Sequence, residues 1–326
     1  MQFIHRRAAL ALAGTALTIS AAGAQTSDFP NRPLRIIVPY TPGGTTDIAT
    51  RLVAEPLSRA LGQPVVVENR PGANSIIGVG AAATSAPDGH TMVMVLPAHA
   101  ANATLQAGRM PFDPLGFAPV SLVVQAPLVL AGSRHVSAQN LREYLEVARA
   151  RPGQMNYGSS GIGATAHLAM EDLQLRTGVR MVHVPYRGTQ PALADLMAGH
   201  IGMMFDTYST LKPHFEAGTI RPLGIATPTR PSFASELPTV VESGVEDFAA
   251  SSWCMLLAPP RTPQPLVDRL AAEVGRIVRE PEMARRLQEL GFVVEGRSSA
   301  DTDAFLRAEV TRWANVIRSA NVRVDG

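Results

Sequence analysis

Short, almost uninterrupted apolar runs alternate along this chain with segments of helical period, and that rhythm restricts the fold more than any other feature. The runs are LRIIVPY (34–40), VVV (65–67), MVMVL (92–96), MNY (155–157), MVHV (181–184), IGMMF (201–205) and LGIA (223–226). Between them lie helix-period stretches such as IATRLVAEPLSRAL (48–61) and LREYLEVARA (141–150). Strand and helix in alternation predict α/β layers with largely parallel sheets. Runs without in-out alternation predict strands covered by helices on both faces. No repeat at solenoid or propeller spacing is present.

Two longer β-like runs break the rhythm: APVSLVVQAPLVLAG (118–132) and FAASSWCMLLAPP (248–260). Each is long enough to leave one sheet and enter another. One crossing out and one back predict a first domain built from 28–125 plus 246–326, with a second domain, 126–245, inserted into it; a single large sheet is the alternative. The tail reads as helices over 263–279 and 281–290, a short strand over 292–295, and a last helix over 300–320. In that last helix Phe305, Val310, Trp313 and Ile317 form an apolar stripe that predicts packing on the first domain.

Residues 1–24 carry a basic start (Arg6, Arg7), an apolar middle from Ala8 to Ile19, and the small-residue end Ala22-Gly23-Ala24. This pattern predicts a secretory signal peptide cleaved after Ala24, hence a periplasmic protein. The apolar part is too short to cross ~30 Å of hydrocarbon. The paired arginines suit ordinary or twin-arginine export. Their removal takes the formal charge of +2 to near zero. With Lys212 as the single lysine and no basic stripe, no nucleic-acid partner is expected. The lone cysteine, Cys254, has no disulfide or metal partner, and no His-Glu-x-x-His or Cys/His cluster occurs, so neither metal nor cofactor is expected.

Three strand-turn-helix junctions carry the candidate chemistry. In PYTPGGTTD (39–47), Gly43 and Gly44 allow close backbone approach, and Thr45, Thr46 and Asp47 sit where a helix starts. Free amides and the positive dipole end there favour an anion, although for this loop taken alone an ordinary capped helix start is the better reading. The glycine spacing is not that of a phosphate-binding P-loop. NYGSSGIGATAHLAME (156–171) places the hydroxyls of Ser159, Ser160 and Thr165 beside a glycine turn suited to a small oxyanion. Its Gly161-x-Gly163-x-x-Ala166 spacing imitates a dinucleotide fingerprint, but the acid expected about twenty residues later is missing. Nucleophilic serines with His167 or His183 as base remain a competing reading, without the Gly-x-Ser-x-Gly elbow. VPYRGTQPALADLMAGHIGMMFD (184–206) ends on Asp206, which reads either as a partner for a ligand amine or hydroxyl, or as a cap for a helix near Thr210.

Together these segments, with SSWCMLLAPPRTP (251–263), resemble the substrate-binding proteins of tripartite tricarboxylate transporters, the Bug-type periplasmic receptors, over essentially the whole chain after the leader. The resemblance implies a two-domain α/β periplasmic binding-protein fold (type II-like), its cleft lying between domains joined by two crossing strands. It implies a small mono-, di- or tricarboxylate ligand, membrane permease subunits as partners, a monomer, and no catalysis. It also implies that the loops 40–47 and 159–167 face each other across the ligand. Tyr40, Thr41, Gly43, Gly44 and Thr45 then serve from the first domain. Ser159, Ser160, Gly163, Ala164 and Thr165 serve from the second, with Asp206 and the segment from His99 to Asn102 completing the wall. The chain departs from the family pattern at Tyr40-Thr41, at Ile162, and at Ala164, where relatives usually carry a hydroxyl. Pro56 inside the first helix is a further departure. An exported hydrolase-like enzyme and a ligand-sensing subunit of a signalling system are the alternative functions.

Overall fold

The computed structural model describes residues 29–324, so the leader and its cleavage site lie outside the described residues. The chain runs β1 (Leu34–Val38), α1 (Thr45–Leu61), β2 (Val65–Asn69), α2 (Ile76–Ala83), β3 (Thr91–Val95) and α3 (Ala98–Leu105) before the long strand β4 (Ala118–Ser133). It continues α4 (Leu141–Ala150), β5 (Asn156–Ser159), α5 (Thr165–Thr177), β6 (Val182–Pro185), α6 (Thr189–Ala198), β7 (Met203–Thr207), α7 (Tyr208–Glu216) and β8 (Ile220–Ile225). It closes with β9 (Ser251–Ala258), α8 (Gln264–Arg279), α9 (Pro281–Glu289), β10 (Val293–Val294) and α10 (Ser299–Ser319). No helix among the described residues is long and apolar enough to cross a membrane.

The strands form two half-sheets that share β4. Its residues 118–127 pair antiparallel with β9, and Leu128 to Ser133 pair antiparallel with β7 or β8. Within the first half β1 pairs parallel with β2 and β3, and within the second β5 pairs parallel with β6 and β7. The expectation of largely parallel sheets therefore needs correction. Every antiparallel pair involves β4 or β9, the strands at the junction, which run against their neighbours. The return run is also shorter than its apolar length predicts, for β9 begins only at Ser251. Its link to the second half is made at Ala250, whose amide donates to Ala226 O and whose carbonyl accepts from Leu128.

Both faces of each half are buried, as the continuous apolar runs require. In β1, Ile36 and Val38 pack with Val53, Leu57, Leu266 and Leu270 on one side, while Ile37 packs with Val79, Trp253, Leu306 and Trp313 on the other. In the second half Leu130 and Phe205 face α4 and α5, and Val129 and Met204 face α6 and α7. Gly132 in β4 leaves room for the buried Tyr144, since an added Cβ falls 2.5 Å from that ring. Gly132→Ala is expected to cost about 1–3 kcal/mol by overpacking, read as a lower urea midpoint at unchanged slope.

The last helix does more than cover the first half. Arg312 reaches Asp172 on α5 at 3.1 Å and donates to Ala249 O, tying α10 to the second half. One turn away the buried Glu309 accepts from both indoles, Trp253 Nε1 at 2.7 Å and Trp313 Nε1 at 2.9 Å. Cys254 lies buried in the first core, as its isolation predicts.

Candidate functional site

A cavity of about 350 Å³ opens where the two half-sheets meet. Tyr40, Thr41, Gly44, Thr45, Thr46, Asn74, Leu96, Ala98 and Ser252 line it from the first half. Leu128, Ser160, Ala164, Thr165, Ala166, Thr189, Asp206 and Thr207 line it from the second. A larger hollow of about 600 Å³ lies among Arg142, Arg149, Arg176 and Val245, away from the helix starts of the first half. The smaller cavity gathers strand ends and helix starts from both sides, which is where open α/β sheets place ligands.

The first seat is the loop between β1 and α1. Gly43 has φ +83°, a backbone open to glycine at little cost, and its amide donates to Asp47 Oδ2 at 3.0 Å. Asp47 also accepts from Asn69 Nδ2 at 2.9 Å and from Arg51 Nε, and the donations from Arg51, Gly43 and Asn69 hold its pKa below the ordinary value despite burial. Asp47 thus fastens the loop from the third helical position, as the acid of a capping box does. The helix itself carries no side-chain cap at Gly44, and the amides of Gly44, Thr45 and Thr46 find no acceptor among the described residues. Orphan amides at a helix start favour an anion.

The second seat is the loop between β5 and α5. Ala164 caps α5 without any side-chain bond, and the amides of Thr165 and Ala166 likewise have no acceptor among the described residues. Behind this loop two imidazoles stack, His167 on His183, with ring centres 3.8 Å apart and planes at 11°. Gly163 N–H donates to His167 Nδ1 at 3.1 Å, and Ser159 Oγ lies 2.7 Å from His183 Nε2. Burial lowers both rings, His167 to about 3 with help from the neighbouring His183, and His183 to about 4. Tyr157, stacked on His183, donates to Glu171 and closes the group.

The first residues of α3 and α6 and the residue capping α7 also face the cavity, so several helix starts converge on one space. Among the described residues no arginine or lysine lines it. Arg70, a conceivable anchor, pairs instead with Glu68 at 2.6 Å. Among the described residues the single lining acid is Asp206, whose Oδ2 accepts from Thr189 Oγ1 at 2.7 Å and whose Oδ1 accepts from Thr207 N at 2.7 Å.

Of the residues expected from sequence, Tyr40, Thr41, Gly44, Thr45, Ser160, Ala164, Thr165 and Asp206 meet at the cavity. Five others stand outside its lining. Gly43 is spent on Asp47, and Gly163 on His167. Ser159 is buried behind the loop, held by His183 and by Gly161 O, so the serine that has a histidine partner does not face the cavity. His99 is buried between Phe112 and Phe117 with Nε2 bonded to Pro114 O at 2.9 Å, because an apolar helix face carries it inward. Asn102 exchanges amide bonds with Asn74 and so holds that residue in place. Sequence reading missed Thr46, Asn74, Leu96, Ala98, Leu128, Ala166, Thr189, Thr207 and Ser252. For Asn74 a signal existed. Gly-Ala-Asn-Ser supplies three consecutive non-glycine residues at positive φ (Ala73 45°, Asn74 48°, Ser75 76°), strain of the kind that gathers at functional sites.

Two lobes around a cleft, with helix starts aimed into it, define the class of periplasmic solute-binding proteins. Residues 49–322 match the tripartite tricarboxylate transporter family receptor, and the chain belongs to that family. It is 34% identical to the solved structure of R. palustris Rpa4515 with adipate, with TM-score 0.80, covering 91% of this chain and 99% of the other. The structure of the periplasmic binding protein BugD is similar at 29% identity and TM-score 0.75, over 90% of this chain and 99% of BugD. MatC (Rpa3494) from Rhodopseudomonas palustris with bound malate gives 29% identity and TM-score 0.75, over 89% and 100% of the two chains. The expected family and fold class are thereby borne out.

Proposed function

We propose that this receptor captures a small carboxylate between the starts of α1 and α5 and presents it to membrane permease subunits. The supporting observation is that unpaired amides from both halves converge on one cavity that no basic side chain lines. A carboxylate there accepts N–H and O–H donors from Gly44, Thr45 and Thr46 on one side and Ser160, Thr165 and Ala166 on the other. The related proteins with adipate and malate support this ligand class. The jaws in this reading are 28–125 plus 246–326 and 126–245. A ligand held by both stabilises the closed arrangement. The chain acts as an exported monomer without catalysis, and the ligand leaves unchanged.

Thermal shift against a panel of mono-, di- and tricarboxylates tests the reading. A bound acid stabilises the fold by about 2.7 kcal/mol at a hundredfold excess over Kd, and mass spectrometry recovers it intact. Ser160→Ala removes one hydroxyl donor and is expected to weaken binding about 10–150-fold, the effect of one hydrogen bond to a charged group. Turnover of the bound acid, abolished by Ser160→Ala, would overturn the receptor reading in favour of a hydrolase.

A further inference from the structure

Asp206 is out of place in an anion seat. It is the penultimate residue of β7, at the cavity wall, partly buried, and forms no ion pair among the described residues. Its partners are neutral donors: Thr189 Oγ1 on Oδ2, and Thr207 N at 2.7 Å and Thr207 Oγ1 at 3.4 Å on Oδ1. A carboxylate offers about four acceptor sites, so these bonds leave capacity for a further donor. Among the described residues no other side chain of the lining carries formal charge. A ligand carboxylate seated at α1 and α5 therefore shares the cavity with a second carboxyl that no lining cation among the described residues compensates, and like charges so placed repel.

We infer that Asp206 makes this receptor selective for carboxylates that also carry a hydrogen-bond donor, a hydroxyl or an ammonium group, over plain acids of the same length. The inference rests on the carboxylate reading proposed above and narrows it. A donor on the ligand occupies the free acceptor site of Asp206 and relieves the repulsion. A plain diacid sets a second anion against Asp206, and a plain monoacid leaves it without its donor. Selectivity thus comes from a repulsive as well as an attractive element. Burial pushes the Asp206 pKa up, while the donations from Thr189 and Thr207 oppose that rise.

Calorimetric titration of the purified receptor with length-matched sets tests this: propionate, lactate and alanine; succinate, malate and aspartate; glutarate, 2-hydroxyglutarate and glutamate; adipate, 2-hydroxyadipate and 2-aminoadipate. In the set that binds best, the hydroxy or amino acid is expected to bind at least ~10-fold tighter than the plain acid, within the range that a single buried donor-acceptor pair discriminates. Asp206→Asn keeps an acceptor oxygen but no charge, so it is expected to erase a preference for ammonium and to leave part of a preference for hydroxyl. Asp206→Ala is expected to bring either ratio within ~3-fold. A plain acid that binds as tightly as its substituted partners in wild type overturns the inference while leaving the receptor reading standing. Ratios unchanged in both variants do the same. Failure of every carboxylate to bind overturns both together.

Discussion

Gly44→Val is expected to raise the Kd of the bound carboxylate at least ~100-fold, about 2.7 kcal/mol, while the unliganded protein melts within a few degrees of wild type. The backbone at Gly44 (φ −79°, ψ 170°) lies in the extended region, where valine is at ease. The nearest heavy atom to an added Cβ is Thr41 O at 3.8 Å, so nothing in the fold has to move. The cost to the helix is that of an apolar N-cap, about 1 kcal/mol or less relative to glycine. The branched side chain stands at the cavity wall beside the unpaired amides of Thr45 and Thr46 and fills the approach an anion needs. Gly43 is the contrasting control. Its φ of +83° makes substitution a strain on the loop, so Gly43→Val is expected to lower stability and affinity together. Calorimetry paired with thermal melts separates the two cases. Unaltered affinity in Gly44→Val would remove the first helix start from the site.

Acid is expected to destabilise the protein well before its ordinary carboxylates titrate. Burial holds His99 at about 4, His183 at about 4, and His167 at about 3, each below the 6.5 of a free imidazole. Above pH 6.5 these rings are neutral in both folded and unfolded chains, and nothing is lost. As pH falls from 6.5 toward 4 the unfolded chain takes up protons that the folded chain refuses, so stability declines through that window. The loss is on the order of 3 kcal/mol from His99, a similar amount from His167, and less from His183, which water screens. Glu171 and Asp206, whose pKa values burial raises, act in the opposite sense and soften the lower end of the window. His167 adds a local effect. Its Nδ1 accepts from the Gly163 amide, a bond that protonation destroys, and a charged ring would lie 3.8 Å from its stacked neighbour. Melting temperatures between pH 7 and 5 are expected to fall by several degrees, and His99→Gln, which preserves the donor to Pro114 O, to flatten the slope. A flat profile in wild type would show that these rings titrate freely.

The strands and helices of this fold were legible because continuous apolar runs and helical stripes are local signals. The junction was less so. The run 248–260 reads as one long strand, yet Phe248 and Ala249 leave the ladder, since the return crossing needs only the two backbone bonds of Ala250. The loops at the site were legible as helix starts, but how each donor is used was not. Gly43 and Gly44 are adjacent and alike in sequence, and only the reach of Asp47, four positions beyond Gly43, decides which amide stays free. Ser159 and Ser160 divide in the same way, one turned to His183 and the other to the cavity. His99 was misplaced because no local pattern foretells Pro114 and the rings of Phe112 and Phe117, which fold over it. Thr189, Leu128 and Ser252 come from three separate elements and meet at the cavity only through the β4 junction.

That junction also fixes what light can report about this protein. The chain has two tryptophans, and both indoles donate to Glu309, one turn from the arginine that links α10 to α5. Neither indole lines the cavity. Tryptophan emission is therefore blind to the ligand as a contact quencher and sensitive to the seam between lobes: a change in that emission on adding a carboxylate measures the rearrangement of the joint, while calorimetry measures occupancy. The ratio of the two separates binding from movement without any introduced dye.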